Sequence, residues 1–452
     1  MGGQGQAHRP GTDTKDTLNS RIVPIIFVPG VMGTRLSING ASQDWDPDDP
    51  GEMLGWLVFS RRKNMNDIDF RRRAEPLTGL SGLESGNDPG NEINGRPRLR
   101  QIALDQTIPR PAARAQSSAV IKFYERRGWG EVVWSFYREI LMDMEEQLNP
   151  KDSAGELRPV YAVGYDWRGS NRDSAQRLIR RVNEFLGRHP LAQQVIIVTH
   201  SMGGLVTRSA LVQGLEPRAR GVIHTVIPAD GAVVAYRRFL TGARDEFQDG
   251  PLPFRAILGR TRLEYSLMQS VLRGPTELLP AEAYPDIFLR LAGGITNKSF
   301  TDLFAEYERQ SPPGILYREG ERANSEFGGT VTAGDVNNLR ERFREAKIFT
   351  RSVATRSHPR TFLMFGRDRV NDVEVDFTKG TPTSDGSNMA PMVIRKVDGD
   401  ATVPLASSRF DGASGPGRPL GRDGFSVEHA ECFGNQDFRK GVIERIRKLL
   451  KP

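Results

Sequence analysis

The stretch that decides the fold is Val195-Ile196-Ile197-Val198-Thr199-His200-Ser201-Met202-Gly203-Gly204-Leu205-Val206-Thr207-Arg208-Ser209-Ala210. It reads as a buried strand, a sharp turn with a serine at its apex, and a helix. A turn of this kind holds a hydroxyl out above a parallel sheet. It needs small residues beside the serine, and Gly203 and Gly204 supply them. Thr199 stands where the Gly-x-Ser-x-Gly pattern has its first glycine, and so puts a Cβ where helix and strand pack together. Ser-x-Gly-Gly alone is a common string; a β-branched strand before it and an amphipathic helix after it make it informative.

Outward from this turn, strands and helices alternate. Ile22–Val28 reads as a buried strand ending in the turn Pro29-Gly30, and Gly130–Leu148 has helical apolar spacing through Val133, Phe136, Ile140 and Met144. Pro159–Val163 is a strand, Arg172–Leu186 an amphipathic helix and Gly221–Ile227 another strand. Thr361–Phe365 returns as a strand, and Val442–Leu450 closes as a helix with a basic last turn. Alternation of this kind implies a mostly parallel sheet covered by helices on both faces. Residues 1–20 read as a flexible leader, and 21–452 as one large domain. That domain carries two interruptions: a Gly-, Pro-, Asp- and Arg-rich lid insertion over 37–120, and a cap of short helices over 232–357.

The chain has 452 residues, and its 37% hydrophobic and 26% charged content is that of an ordinary globular enzyme. No apolar run approaches the roughly 18 residues that span a bilayer, and the polar first twenty residues hold no secretory signal. The expectation is synthesis in the cytoplasm, a reducing compartment. Cys432 is the single cysteine, which excludes an internal disulfide framework and a thiolate metal cage. A net charge of +7 suits an anionic surface such as phospholipid head groups, or equally a solvated Arg-rich surface. No nucleic-acid motif accompanies the charge, so a nucleic-acid partner is not expected.

Serine needs a base and a carboxylate that orients it. The order expected after such a turn is serine, acid, histidine. Among the six histidines, His8, His189, His200 and His224 precede or flank the serine, leaving His429 ahead of His358 as the base. His429 could also be a surface histidine among Glu428 and Glu431. Val397-Asp398-Gly399-Asp400-Ala401-Thr402-Val403-Pro404 supplies the acid: Asp400, with Asp398 as runner-up and two ordinary turn aspartates as the alternative. An oxyanion hole requires two fixed donors. The backbone N–H of Met202 is one, and that of Val31, in the loop Pro29-Gly30-Val31-Met32-Gly33-Thr34, is the other. Taken alone, that loop is equally a tight turn.

Together these strings resemble the lecithin:cholesterol acyltransferase-like branch of the α/β hydrolases, which includes lysosomal phospholipase A. Pro29-Gly30-Val31-Met32-Gly33-Thr34-Arg35-Leu36 is similar to that branch's oxyanion loop. Tyr165-Asp166-Trp167-Arg168 matches its Tyr-Asp-Trp-Arg signature, with Gly164 in place of the usual preceding proline. His200-Ser201-Met202-Gly203-Gly204 matches the nucleophile string. Gly399-Asp400-Ala401-Thr402-Val403 matches the acid string Gly-Asp-Gly-Thr-Val with one glycine changed to alanine, and His429 falls where the base should. The resemblance implies an α/β-hydrolase fold and a serine-dependent lipid acyl hydrolase, a phospholipase A or an acyltransferase, that needs no cofactor and no metal. The secreted members close their lid with a disulfide, which one cysteine cannot form. His-Ser-Met-Gly-Gly and the run Pro228-Ala229-Asp230-Gly231-Ala232 also resemble bacterial lipases deployed as type VI secretion effectors. That likeness implies a signal-independent export route and an immunity protein as partner.

Two features of the lid insertion bear on substrate. Met53-Leu54-Gly55-Trp56-Leu57-Val58-Phe59, followed by Arg61-Arg62-Lys63, has the composition of an interfacial lid. Trp56, Leu57 and Phe59 are the expected membrane contacts; the alternative is a short core helix. Asp44, Asp46, Asp48 and Asp49 form an acidic cluster, read as a solvated loop in preference to a calcium site because ordered ligand spacing is missing. Rival readings are a catalytically idle α/β domain that binds a membrane or partner, and a carboxylesterase for soluble esters.

Overall fold

The computed structural model describes residues 22–36, 45–48, 124, 126–149, 158–242, 265–266, 269–270, 272–282, 284–285, 289–290, 333–354, 356–376, 393–410 and 419–451. In chain order these form β1 (Ile25–Val28), α1 (Trp134–Leu148), β2 (Val160–Ala162), α2 (Asn171–Arg188), β3 (Val195–His200), α3 (Gly203–Ala210), β4 (Ala219–Thr225) and α4 (Val233–Thr241). The single turn α5 (Arg273–Thr276), β5 (Leu289–Arg290), α6 (Ala333–Val353), β6 (Thr361–Arg367), β7 (Arg369–Asp376) and β8 (Val393–Gly399) follow. The short α7 (Leu405–Ser408), β9 (Gly421–Ser426) and α8 (Gln436–Leu450) complete the chain.

Six strands form a sheet in the order β2-β1-β3-β4-β6-β9, parallel at every pairing. The fold is that of an α/β hydrolase. Strands buried on both faces need continuous apolar runs instead of alternating ones, and β1 and β3 have them. Ile25 and Phe27 of β1 lie beside Ile196 and Val198 of β3 in one core layer, under α1 and α8. Ile26 and Val28, with Val195 and Ile197, enter the other layer, under α2 and α6. Each aliphatic side chain fully buried in this way stabilises the fold by about 1.5–3 kcal/mol.

The helix ends are capped by side chains that sequence makes legible in part. Ser170 Oγ accepts from Arg172 N at the start of α2, and Asn435 Oδ1 accepts from Phe438 N at the start of α8. The start of α1 has no local cap. Asp48 serves it from across the chain, accepting from Trp134 N at 2.5 Å and Ser135 N at 2.8 Å.

Asp48 also binds Arg35 Nη2 at 2.5 Å, and Asp46 lies 3.2 Å from Arg35 Nε. This corrects the reading of a solvated loop: Asp46 and Asp48 form a buried ion-pair cluster around Arg35, which is 3% exposed. Among the described residues no group of acidic, histidine or cysteine side chains could hold a metal. Asp44 and Asp49 lie outside the described residues. Trp45, within the segment read as insertion, is fully buried and packs edge-on against Trp167, with centroids 5.3 Å apart.

Two features of the later chain differ from the expectation. The 21-residue α6 lies in the segment read as short helices, and buries Val336, Leu339 and Phe343 in the core. A second sheet, β5-β7-β8, joins a strand before β6 to the two after it, with β7 and β8 an antiparallel pair. Arg208 ties α3 to α6. Fully buried, it donates to the carbonyls of Ala229, Val353, Ala354 and Arg356 and stacks 4.2 Å from the Phe410 ring centroid. No described helix is long and apolar enough to cross a membrane.

Candidate active site

In a parallel sheet every strand delivers its carboxyl end to the same edge, where loops can meet. Here β1 leads into Pro29–Gly33, β3 into Ser201 and β9 into His429, while β6 runs out into the β7–β8 pair, which returns to deliver Asp400.

Ser201 has φ 50°, left-handed for a residue with a Cβ. Such a conformation costs on the order of 1–3 kcal/mol and persists only where surroundings impose it. Gly203 shows what imposes it: a Cβ there would sit 2.3 Å from the Pro29 carbonyl oxygen and 2.6 Å from that of Val28. The turn that carries Ser201 is thus pressed directly on the loop that follows β1. Thr199, the departure from the glycine pattern, is accommodated because its Oγ1 lies 2.9 Å from Nδ1 of the buried His224. Burial, then the charges of Arg208 and His358, lower the pKa of His224 to about 3, so the ring is a neutral partner.

The structure brings the three candidate triad residues together. His429 Nε2 lies 2.8 Å from Ser201 Oγ, and His429 Nδ1 lies 2.8 Å from Asp400 Oδ2. Asp400 is fully buried. Its other oxygen accepts from Thr402 N at 3.0 Å and Val403 N at 2.6 Å, and its carbonyl accepts from His429 N at 2.9 Å. Gly366, in β6, leaves room for it: a Cβ at that position would meet Asp400 Cβ at 2.4 Å. Ala401, where the resembled string has glycine, takes φ 72° to make the turn.

The alternatives go elsewhere. Asp398 is exposed and accepts from Asp368 N. His358 receives Arg360 N on its Nδ1. Cys432, three residues past the histidine, is buried; desolvation, then the Asp400 charge, push its thiol pKa well up and keep it protonated.

The candidate oxyanion donors sit on either side of the serine turn. The N–H groups of Val31 and Met202 donate to no other group among the described residues. The loop around Val31 is held from several directions. Tyr165 O–H donates to the Pro29 carbonyl at 3.0 Å, Tyr165 N to Thr34 Oγ1 at 3.1 Å, and Trp45 Nε1 to the Met32 carbonyl at 3.3 Å. Tyr165 and Trp167 of the Tyr-Asp-Trp-Arg string thus brace the Pro29–Thr34 loop, Trp167 by packing on Trp45. The next residue docks the later chain, the Arg168 carbonyl accepting from Arg273 N and Gly274 N. Trp56, Leu57 and Phe59 lie outside the described residues.

Sequence reasoning missed Tyr137 and the use of His200. Both are fully enclosed behind the serine. Gly30 N donates to Tyr137 Oη at 3.0 Å, Tyr137 Oη lies 3.1 Å from His200 Nδ1, and His200 Nε2 lies 3.1 Å from the His429 carbonyl. The only sequence signal was the spacing of Tyr137 on the buried face of α1.

Residues 154–252 match the model of the lecithin:cholesterol acyltransferase family, a span that contains the Tyr165–Arg168 string and the serine turn. Uncharacterized protein YJR098C of Saccharomyces cerevisiae is 32% identical over 88 residues, which are 20% of this chain and 13% of that protein. This chain therefore spans a small part of that curated relative's length. Among solved structures, a chain in the crystal structure of the Tle4–Tli4 complex aligns over 95% of this chain and 98% of its own, at 17% identity, with a TM-score of 0.64. The sheet order is that of an α/β hydrolase, and the 154–252 segment is similar to the lecithin:cholesterol acyltransferase family.

Proposed function

We propose that the chain is a serine-dependent lipid acyl-ester hydrolase, a phospholipase A acting on membrane phospholipids. The observation that carries the chemistry is the pair of 2.8 Å contacts linking Ser201, His429 and Asp400. Ser201 Oγ attacks the acyl carbonyl while His429 Nε2 takes its proton. Asp400 holds the imidazolium, and the Val31 and Met202 N–H groups receive the oxyanion. Collapse expels the lysolipid alcohol, which regains the proton from His429. Water, deprotonated by the same nitrogen, then releases the fatty acid and restores Ser201.

The lipid half of the proposal rests on the family match and on the basic chain with its Trp56, Leu57 and Phe59 segment, read as a peripheral membrane contact. A lipid acyltransferase is the second reading, favoured by the same match, because only the acceptor that reaches the acyl-enzyme distinguishes the two. The solved Tle4 chain is seen in complex with Tli4. For this chain we carry over an immunity partner and secretion by an effector route as part of the proposal.

Mass spectrometry of products from mixed phospholipid vesicles tests it. Wild type should release fatty acid and lysophospholipid, and Ser201→Ala neither. Transfer to an added long-chain alcohol in preference to water would favour the acyltransferase. Failure of folded wild type, opened by detergent, to take a fluorophosphonate label on Ser201 would favour a non-catalytic binding domain.

A further inference from the structure

The acyl transfer just described leaves two buried polar side chains at its centre without a role. We propose that Tyr137 and His200 are positioning residues, forming an unbroken hydrogen-bond chain from the Gly30 N–H to the His429 carbonyl that holds the oxyanion loop and the base in register around Ser201. The inference rests on the acyl-transfer reading of Ser201.

The proton positions follow from the partners. A carbonyl only accepts, so the proton of a neutral His200 sits on Nε2 and is donated to His429 O at 3.1 Å. Nδ1 then accepts, which makes Tyr137 O–H the donor across 3.1 Å and leaves the phenol oxygen to accept from Gly30 N at 3.0 Å. Burial, then the nearby His429, lower the His200 pKa to about 3, so it adds no second positive charge when His429 becomes imidazolium. A chain in which each proton has one place fixes distances better than isolated contacts.

Sterics reinforce the hydrogen bonds. A Cβ on Gly30 would lie 2.8 Å from His200 Nδ1, and one on Gly33 2.3 Å from Tyr137 Oη, so the loop wraps the phenol between its two glycines. Phe433 packs against both rings, with centroids 5.4 Å from His200 and 6.2 Å from Tyr137. Tyr137 stands on α1, whose first turn is held by Asp48, itself paired with Arg35 at the far end of the same loop. One end of the chain is the residue before Val31, a proposed oxyanion donor; the other is the proposed base. A misplacement of about 1 Å between such groups costs on the order of 10²-fold in rate.

The test compares full-length wild type, Tyr137→Phe, His200→Leu, His200→Gln and Ser201→Ala in hydrolysis of a soluble short-chain ester, with fluorophosphonate labelling and melting temperature measured alongside. Tyr137→Phe and His200→Leu should each lower kcat by about 10²-fold with KM within about two-fold of wild type. His200→Gln, which keeps one donor and one acceptor, should recover at least about tenfold over His200→Leu, and the Tyr137→Phe/His200→Leu pair should be no worse than the poorer single variant. A folded Tyr137→Phe with wild-type kcat, a loss carried by KM, or equal rates for His200→Gln and His200→Leu would overturn the proposal. If Tyr137→Phe does not fold, the two His200 variants decide it. Wild type that takes no label on Ser201 removes the acyl-transfer reading and this inference with it; labelled wild type with insensitive variants removes this inference alone.

Discussion

Asp400→Asn changes one atom type and should nearly silence the enzyme. The carboxylate divides its oxygens: Oδ1 accepts from Thr402 N and Val403 N, and Oδ2 faces His429 Nδ1 at 2.8 Å. An asparagine must turn its NH2 toward one side. Two backbone N–H groups hold the carbonyl oxygen on theirs, so the amide donates toward His429 Nδ1. The ring must then carry its proton on Nε2, facing Ser201 Oγ, where it can no longer accept one. Loss of the base tautomer costs about 10⁴-fold in kcat, or about 5 kcal/mol of transition-state stabilisation. Asp398→Asn touches only an exposed contact to Asp368 N and should stay within about threefold, as surface changes do. Both variants are assayed for kcat on a soluble ester above the concentration that opens the site, with melting temperatures to show that each is folded. Equal losses, or an Asp400→Asn that keeps a tenth of wild-type kcat, would refute the assignment of the acid.

Ala401→Gly should relieve the φ of 72° and stabilise the fold by about 1 kcal/mol in urea unfolding, with activity retained. Asp48→Ala leaves the buried Arg35 short of a partner and strips two N–H groups at the start of α1. It should lower stability by about 3 kcal/mol, whereas calcium or chelator should leave the wild-type melting temperature unchanged. Glu277 is buried, accepts from Ser170 Oγ and Asn171 N, and has its pKa pushed up to about 8 by desolvation. A carboxyl that holds its proton more tightly when folded stabilises fully below its ordinary pKa, and that contribution is lost as pH rises to about 8. The melting temperature of wild type should therefore fall relative to Glu277→Gln between pH 5 and 8; a constant difference across that range would count against it.

The sheet was legible because strands such as Val195–Val198 are apolar on both faces and alternate with amphipathic helices, the pattern of a doubly covered parallel sheet. Given that sheet, serine, acid and histidine had to emerge at one edge, and chain order then narrowed the base to His429 and the acid to the turn that holds Asp398 and Asp400. What separated Asp400 from Asp398 was invisible locally: both sit on one turn, and only the long return from β6 shows which one meets the imidazole. β9 was missed because Gly421-Arg422-Asp423-Gly424-Phe425-Ser426 carries two glycines and two charges; it is a strand by virtue of pairing with β6. The alternation Val373-Glu374-Val375-Asp376 in β7 was a usable signal left unread. The acidic cluster was misread because Arg35 lies 13 residues before Asp48, and the helix start that Asp48 caps lies beyond the whole lid insertion. His200 was set aside as a base by chain order, and nothing in its neighbourhood of sequence points to Tyr137, 63 residues earlier.

The Arg208 clamp bears on how any substrate reaches Ser201. Its guanidinium sits wholly inside the protein and binds the last carbonyls of α6 from the helix that follows the serine. Swinging that end of α6 outward would take from a buried cation three of its four carbonyl acceptors and leave it only that of Ala229. The C-terminal end of α6 is thus a fixed strut, rigid with the helix after Ser201, and any doorway for substrate must leave it in place.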